Sequence, residues 1–175
     1  MLEIRKARTD EFEAVRTFYF SLCDEMADSP YLPGWEKEVY PTSQEIRQAL
    51  ETQELYIGLL DGEIAAGMVL NNECPEGYDA VSWALDAQGA EIMVVHLLGV
   101  HPRFAGRGFA KEMTRWAVGL ARQSECATVR LDVMTNNLPA MRVYESVGFQ
   151  YRETVQLYYE DTGWTDFKMY EYPLA

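Results

Sequence analysis

The sequence has few of the features that would set it apart from an ordinary intracellular protein. No apolar run is long enough to span a bilayer, and the N-terminus has no apolar stretch typical of a secretory signal. The three cysteines, Cys23, Cys74 and Cys126, are widely spaced and have no histidine at ligand spacing. We therefore expect free thiols, no metal and a cytoplasmic location.

Basic residues are also scarce. The chain has 15 Lys and Arg against 28 Asp and Glu, a formal net charge of -13. Such an imbalance repels nucleic acid and anionic membranes and favours the approach of cationic ligands, although charge alone identifies no substrate. The 175 residues are 48% apolar and contain no repeat or low-complexity segment, which predicts a single domain over residues 1–175.

The first half of the chain reads as strand, helix, helix and hairpin. A short strand is expected at residues 3–7, followed by an amphipathic helix from Phe12, with Thr9 and Asp10 as capping residues. Ser43 opens a second helix after a proline-rich connector, and Asp61-Gly62 predicts a β-hairpin turn.

The second half alternates strands and helices. After a polar insertion at residues 71–90, residues 91–100 read as a buried strand and Phe109 begins a helical pattern. Another strand covers residues 127–134, a short helix follows between Asn137 and Gly148, and a terminal hairpin ends the chain. Together these strands and helices predict a mixed α/β domain.

A basic, glycine-containing turn, "HPRFAGRGFA", lies between the buried strand and the helix that begins at Phe109. No acid occurs from Ile92 to Lys111. Glycines before a helix can serve only to form a tight turn, but backbone N–H groups at a helix start also bind phosphate. The dinucleotide fingerprint requires a third glycine at the position of Lys111, and the P-loop pattern is absent, so neither motif applies.

The turn instead resembles the acetyl-CoA loop of the GNAT superfamily of N-acetyltransferases, Gln/Arg-x-x-Gly-x-Gly/Ala. Arg103, Gly106 and Gly108 fill that pattern. The opening "IRKA", the "LLGVHP" ahead of the loop and the later "NNLPAMRVYESVGF" are also similar to the family's segments, so the resemblance covers nearly the whole chain. It implies a mostly antiparallel sheet of about seven strands flanked by helices, with a V-shaped splay between the fourth and fifth strands.

The resemblance also implies which residues bind acetyl-CoA, the acyl donor. The pantetheine arm is expected in the splay, with backbone N–H groups there stabilising the oxyanion that develops on the thioester. Gly99 could form the bulge that this requires, or it could serve close packing. The expected donor-binding residues are Leu98, Gly99, Val100, Arg103, Gly106, Arg107, Gly108, Phe109, Ala110, Asn137 and Tyr144.

One position departs from the family pattern. The family often carries Arg or Gln directly before the first loop glycine, where this chain has Ala105. One side-chain contact to the pyrophosphate is therefore expected to be missing, and backbone N–H groups should supply most of the binding.

Tyr144 and Asn137 match family residues near the transferred group. Tyr144 corresponds to the tyrosine that protonates the departing thiolate, although a tyrosine in a short amphipathic helix can also be a core residue. Asn137 corresponds to a CoA contact and is equally a good helix N-cap, so it can serve both roles.

His96 and Glu91 are the candidates for accepting the proton of the attacking amine. They are five residues apart on one predicted strand, which puts them on opposite faces unless a bulge intervenes. His96 is nearer the splay and titrates close to neutral pH, but a lone histidine in an apolar strand is often a satisfied core residue.

Aromatic and acidic residues are frequent in the segments that shape the acceptor site in this family: the connector, the insertion and the terminal hairpin. An aromatic pocket edged by carboxylates suits a small cationic amine. The main expectation is direct acetyl transfer from acetyl-CoA to the primary amine of a small molecule. Acetylation of protein N-termini or lysines and a non-catalytic acyl-CoA-binding module are the alternatives, and a homodimer is possible because dimers are frequent in the family.

Overall fold

The computed structural model describes residues 1–31 and 34–174, and its central element is a seven-stranded sheet. The strands are β1 (Glu3–Lys6), β2 (Leu55–Leu60), β3 (Glu63–Asn71), β4 (Ile92–Val100), β5 (Thr128–Met134), β6 (Gln150–Tyr159) and β7 (Gly163–Pro173). The α-helices of the described residues are α1 (Phe12–Met26), α2 (Ser43–Glu51), α3 (Phe109–Gln123) and α4 (Leu138–Val147). The strand order is β1-β2-β3-β4-β5-β7-β6.

All neighbouring strands pair antiparallel except β4 and β5, which are parallel and are connected through α3. A parallel pair needs a crossover of this length, whereas the hairpins β2–β3 and β6–β7 need only tight turns. The predicted mixed α/β fold with a mostly antiparallel seven-stranded sheet is confirmed.

The helices cover both faces of the sheet. Met93 and Val95 of β4 pack in one core with residues of α3 and α4, while Val69 and Leu97 pack with α1 and α2 on the opposite face. A third cluster lies under the insertion that precedes β4, where Val94 packs against residues of β6 and β7. Met93, Val94 and Val95 alternate between the two faces with the period of two of a strand, whereas Leu97 breaks that period.

The start of the first helix differs from the prediction. Thr9 and Asp10 lie in a short 3-10 turn and supply no capping hydrogen bond. The carboxylate of Glu11 instead accepts the backbone N–H of Arg8 at 2.7 Å and the guanidinium of Arg5 at 2.7 Å. An acidic side chain that can reach back to the chain preceding the turn therefore replaces the expected caps.

The predicted splay is present between β4 and β5. Their paired residues end at Val94 and Arg130, after only three pairs. Beyond that point β4 stays paired with β3 and β5 stays paired with β7, so the two strands separate while each keeps a partner on its outer side. A gap therefore opens in the middle of the sheet at the C-terminal ends of both strands.

A β-bulge lies in β4 beside this gap. Gly67 pairs with Gly99 and Val69 pairs with His96, so β4 carries one residue more than β3 over this interval. Leu97 has a φ of 50°, a conformation that leucine rarely adopts, and it is the residue that accommodates the bulge.

Gly99 therefore serves close packing and not the bulge itself. A Cβ at Gly99 would lie 2.8 Å from Leu22 Cδ1 and 3.0 Å from Trp35 Cζ3. Of the two roles considered for this glycine, the structure supports the second.

The described residues were also compared with the expectations for membrane spans, metal sites and cysteines. None of their helices is long and apolar enough to cross a membrane. Over the same residues, no group of three or more His, Cys, Asp or Glu is arranged to hold a metal ion. Cys23, Cys74 and Cys126 are free thiols, as expected.

Candidate active site

Two pockets meet at the splay. The first, here called the polar cavity, has a volume of about 80 Å³ and is lined by His96, Asp132, Tyr144, Tyr159 and Asp161, among others. The second, the apolar cleft, has a volume of about 160 Å³ and is lined largely by aliphatic side chains of β4, α1 and α4. Four residues line both pockets: Trp35, Leu98, Asn137 and Tyr144.

The apolar cleft brings together most of the residues expected to bind pantetheine. Leu98, Gly99 and Val100 form one wall, and Ala110 at the start of α3 lies in the same cleft with Asn137 and Tyr144. These residues come from three elements that only the fold brings together. Phe109 is the exception, because its side chain is buried in the core and only its backbone is available at the helix start.

The glycine turn leads from β4 to the N-terminus of the fifteen-residue helix α3. Gly106 and Gly108 have φ values of 77° and 79°, which L residues rarely adopt, and nothing lies within 4 Å of a Cβ built on either. Residues 105–108 are exposed. The turn is thus exposed backbone at the positive end of a helix dipole, with room for a ligand to approach it.

The arginines of this turn are exposed. In the described chain the Arg103 guanidinium forms an ion pair with Glu63 and stacks on Phe104, its Cζ lying 4.8 Å from the ring centroid. Arg107 lies over the same ring at 5.7 Å. Both charges border the turn, and a phosphate there would compete with Glu63 for Arg103.

Tyr144 is buried at the junction of the two pockets. Its ring packs against Phe149 and Tyr170, and its hydroxyl has no hydrogen-bond partner among the described residues. Burial, with a smaller contribution from the Asp132 carboxylate, raises the pKa of Tyr144, so the phenol holds its proton at neutral pH. Such a group can donate a proton to an acceptor in either pocket.

Asn137 caps α4 and also lines both pockets. Its Oδ1 accepts the backbone N–H of Ala140 at 3.3 Å, whereas its Nδ2 has no partner among the described residues. The cap uses the oxygen alone, so the amide nitrogen remains able to bind a ligand.

His96 and Glu91 are not brought together. His96 lines the polar cavity, and its Nε2 lies 2.8 Å from Asn71 Oδ1. Burial lowers the pKa of His96 to about 4, so the imidazole is neutral near pH 7. Glu91 lies before β4 in a 3-10 turn, at the end where β4 and β5 are still paired, and its carboxylate accepts the N–H of Gln88 at 2.9 Å. Glu91 lines neither pocket.

Asp132 was not among the residues expected at the site. It lies on β5 and faces the polar cavity, where its Oδ2 accepts the hydroxyl of Tyr78 at 2.7 Å and that of Tyr159 at 2.8 Å. Burial raises the pKa of Asp132, while the two phenolic hydrogen bonds oppose that shift. The sequence gives no clear signal for it, because the strand also carries Arg130 and Asp132 reads as a polar residue on its open face.

Asp161 is the second unexpected residue. It lies in the turn between β6 and β7 and lines the polar cavity. Its Oδ1 is buried and has no hydrogen-bond partner within the described part of the chain. Burial raises the pKa of Asp161 to about 6; the backbone N–H groups of Asp161 and Thr162 oppose that shift, and the carboxylates of Glu36 and Glu45 add to it. A sequence offers no signal for this, because turn acids are normally solvated.

Only some of the expected aromatic residues reach the cavity. Trp35, Tyr40 and Tyr159 line it. Tyr78 contacts it through Asp132, and Trp83 packs against Arg130 instead. The exposed aromatic side chains that do not line the cavity are Tyr31, Tyr151, Tyr158 and Trp164.

Comparison with known proteins agrees with this geometry. The model of the acetyltransferase (GNAT) family matches residues 20–149, most of the chain, and the protein therefore belongs to that family. The N-alpha-acetyltransferase RimI of Mycobacterium tuberculosis is 38% identical over 69 residues, which are 39% of this chain and 42% of the relative. The uncharacterized N-acetyltransferase YesJ of Bacillus subtilis is 26% identical over 107 residues, 61% of this chain and 58% of the relative.

These matches span about two fifths and three fifths of the two curated relatives. Solved structures are similar over nearly the whole length. A GNAT-family acetyltransferase from Streptococcus agalactiae has a TM-score of 0.82 at 21% identity, covering 99% of this chain and 96% of that one. The structure of yncA from Salmonella typhimurium with its cofactor acetyl-CoA has a TM-score of 0.73 at 14% identity, covering 100% of this chain and 95% of that one. At these identities the likeness concerns the fold.

Proposed function

We propose that the protein transfers an acetyl group from acetyl-CoA directly to the primary amine of a small cationic acceptor. The observation that carries the proposal is the meeting of the apolar cleft and the polar cavity at Tyr144. Among the described residues that line the polar cavity, two are aspartates and none is lysine or arginine. A site of that charge with aromatic walls favours a cation.

The donor side suits acetyl-CoA, which supplies the acetyl thioester when bound. The free N–H groups of the turn at Gly106 and Gly108 and of the first residues of α3, Phe109 and Ala110, can hold the pyrophosphate. Arg103 and Arg107 can add charge at its edge. The apolar cleft then accepts the pantetheine arm beside Leu98, Gly99 and Val100, and the Asn137 amide can bind it.

The chain's own groups fit direct transfer without a covalent enzyme intermediate. Backbone N–H groups of β4 near Leu98 and Gly99 stabilise negative charge on the thioester oxygen, a contribution of about 3 kcal/mol per donor. Tyr144 protonates the departing sulfur. For the amine's proton, His96 lines the cavity and Glu91 does not, but the lowered pKa of His96 and the hydrogen bond of its Nε2–H to Asn71 make it a weak base.

Acetylation of protein N-termini is the second candidate, and the similarity to RimI favours it. A peptide acceptor needs a groove that accommodates the chain beyond its first residue. The polar cavity is lined by aromatic rings and two carboxylates. That lining favours a small cationic amine.

The test is thiol release from acetyl-CoA in the presence of a panel of acceptors. The panel holds short alkyl mono- and diamines, a lysine derivative, and peptides with free N-termini. We expect turnover with small amines and not with peptides. Turnover confined to peptides would instead support N-terminal or lysine acetylation. Acetyl-CoA binding by calorimetry without turnover on any acceptor would support a non-catalytic module.

A further inference from the structure

The Asp132 carboxylate is bound on one side only. Both phenolic hydroxyls, from Tyr78 in the insertion and Tyr159 on β6, donate to the same oxygen, Oδ2. Oδ1 accepts no hydrogen bond from any described residue. Two donors on Oδ2 hold the plane of the carboxylate, so Oδ1 keeps its lone pairs for a ligand in the cavity.

The Asp161 carboxylate also has an oxygen without a hydrogen-bond partner among the described residues. Its buried Oδ1 has no hydrogen-bond partner in the described chain, although the backbone N–H groups of Asp161 and Thr162 lie close enough to lower the pKa of the carboxylate. A buried polar atom without a partner is rare in a folded protein, because it has lost its water without gaining a replacement. A donor supplied by a ligand would satisfy it.

The described surroundings give these two carboxylates no cationic partner. The nitrogen His96 Nε2 lies 2.8 Å from Asn71 Oδ1, and the other polar groups of the cavity include the hydroxyls of Tyr40, Tyr144 and Tyr159. Two like charges in one small cavity repel each other and are costly to bury. A ligand with two positive groups would compensate both.

The two aspartates lie at different places along the cavity. Asp132 is near Tyr144, since its charge contributes to the raised pKa of that tyrosine, and Tyr144 also lines the apolar cleft. Asp161 lies in the turn after Tyr159, whereas Asp132 lies on β5, one of the two strands that border the splay. Of the two carboxylates in the cavity, Asp132 is therefore the one held by the splay and Asp161 is the one held by the terminal turn.

We propose that the acceptor is a short diamine, or an amine with a second cationic group, whose reacting nitrogen binds Asp132 and whose distant cation binds Asp161. This inference rests on the proposed acetyl transfer. Because both carboxylates line the same cavity, a short linker is enough to join the two cationic groups.

Asp132 is then the group that takes the proton. The reacting ammonium gives one proton to Asp132 Oδ1, and the neutral nitrogen forms its bond to the carbonyl carbon as the carbon–sulfur bond breaks. Tyr144 gives its proton to the sulfur and is reprotonated by the second proton that the nitrogen loses. Asp132 releases the first proton to solvent, so each turnover yields one amide, one thiol and one proton. The raised pKa of Asp132 makes its carboxylate a better proton acceptor than an ordinary aspartate.

The experiment compares 1,4-diaminobutane, butylamine and 4-amino-1-butanol as acceptors, with thiol release as the readout. For the wild-type chain we expect kcat/KM for the diamine to exceed that for the other two by about tenfold or more. Asp161→Asn should raise KM for the diamine toward the butylamine value, and by a larger factor than it changes KM or kcat for butylamine. Asp132→Asn should lower kcat with all three amines.

Asp166→Asn is the matched control, because it removes one negative charge from the same hairpin at an exposed position outside the cavity. It should leave all constants unchanged. Thermal melts of each variant identify any loss of folding. N,N,N′,N′-tetramethyl-1,4-diaminobutane, which cannot be acetylated to a stable amide, should inhibit the wild-type chain competitively and inhibit Asp161→Asn at least about tenfold less.

The outcomes separate this inference from the proposed function. If kcat/KM is equal for butylamine and the diamine and Asp161→Asn changes neither value, the proposed binding of a second cation by Asp161 is wrong. The proposed acetylation of small amines would still hold. Failure of every amine as acceptor contradicts the proposed function. In that case the binding of the two-cation ligand is tested directly, by the rise in melting temperature that 1,4-diaminobutane causes. A smaller rise in Asp161→Asn than in the wild-type chain supports the proposed site. No rise in the wild-type chain, or an equal rise in both, contradicts it.

Discussion

The hydroxyl of Tyr19, on α1, donates a hydrogen bond of 2.9 Å to the backbone carbonyl of Leu97, the residue with positive φ in the bulge of β4. Tyr19 is completely buried. This bond joins the first helix to the one place where β4 departs from regular pairing. It helps hold a conformation that leucine would otherwise leave, and the bulge in turn shapes the wall of both pockets.

Replacing Tyr19 with phenylalanine should therefore weaken both the fold and the site. The change leaves the Leu97 carbonyl without its partner in a buried setting, which costs about 1–3 kcal/mol. We expect a lower free energy of unfolding in urea and a lower kcat with the best amine. Tyr158→Phe, at a half-exposed position, is the control and should change neither. Unchanged kcat in Tyr19→Phe would mean that the bulge does not depend on this bond.

Tyr144→Phe removes the proposed proton donor without changing the packing of the ring. General acid catalysis contributes about 10²–10⁴-fold, so kcat should fall within that range while the dissociation constant for acetyl-CoA changes little. Steady-state thiol release and calorimetry measure the two quantities. Tyr31→Phe, outside both pockets, is the matched control. If Tyr144→Phe keeps full turnover, the proton must come from another group or from water.

Gly108→Ala tests the phosphate-binding turn. At a φ of 79° the alanine is strained by about 1–2 kcal/mol, and the turn should relax away from the geometry that points its N–H groups outward. Weaker binding of CoA in calorimetry is the expected result. Gly119→Ala is the control, because Gly119 lies inside α3 with open space around it, and this change should raise stability by up to about 1 kcal/mol without affecting CoA.

The pH dependence of the diamine reaction should depend on Asp161. Its folded pKa of about 6 lies above the usual aspartate value, chiefly through burial, with Glu36 and Glu45 adding to the shift. Protonation as the pH falls through about 6 removes the charge that binds the distant cation. The kcat/KM for 1,4-diaminobutane should therefore fall below pH 6 more steeply than that for butylamine, and Asp161→Asn should abolish the difference.

The same raised pKa has an opposite consequence for stability. Between the unfolded and folded pKa values the native state binds more protons than the unfolded state, so the contribution of this group to stability is lost as the pH rises through about 6. Asp161→Asn should therefore stabilise the ligand-free protein at pH 8 in thermal melts. A residue kept for binding often costs stability, so its replacement is expected to stabilise the protein while weakening diamine binding.

Glu171 should be essential to the fold for a different reason. Its fully buried carboxylate accepts the N–H of Ala84 at 2.6 Å and the Nε–H of Arg130 at 3.3 Å, which ties the insertion to β5 and β7. Glu171→Gln leaves Arg130 without its charge partner and should cost about 3–5 kcal/mol in denaturant titrations. Glu13→Gln breaks the exposed pair with Arg16 and should change stability by less than about 1 kcal/mol.

Much of the donor side could be predicted from the sequence because its signals are local. The loop residues Gly106 and Gly108 have the positive φ values that glycine permits, and Asn137 caps α4 within three residues of its own position. The strand and helix periods of the chain likewise follow from neighbouring residues. Tyr144 could be located through the short motif around it.

The residues of the acceptor site could be identified only from the tertiary structure. Tyr78 and Asp132 are 54 residues apart, and Tyr159 and Asp132 are 27 apart, so no local pattern joins them. In the sequence Asp132 reads as a polar residue on the open face of a strand, and Asp161 as a solvated turn acid. Both become partly buried only when the insertion and the terminal hairpin pack beside the splay.

The sequence by itself determined the order of strands and helices, the glycine turn and the family, because backbone conformation and capping are set by residues a few positions apart. Only the tertiary structure decided which acids line the cavity, where the bulge falls and which aromatic residues reach the site. Burial, charge pairing and hydrogen-bond satisfaction are properties of chain segments far apart in sequence, and these properties define the acceptor.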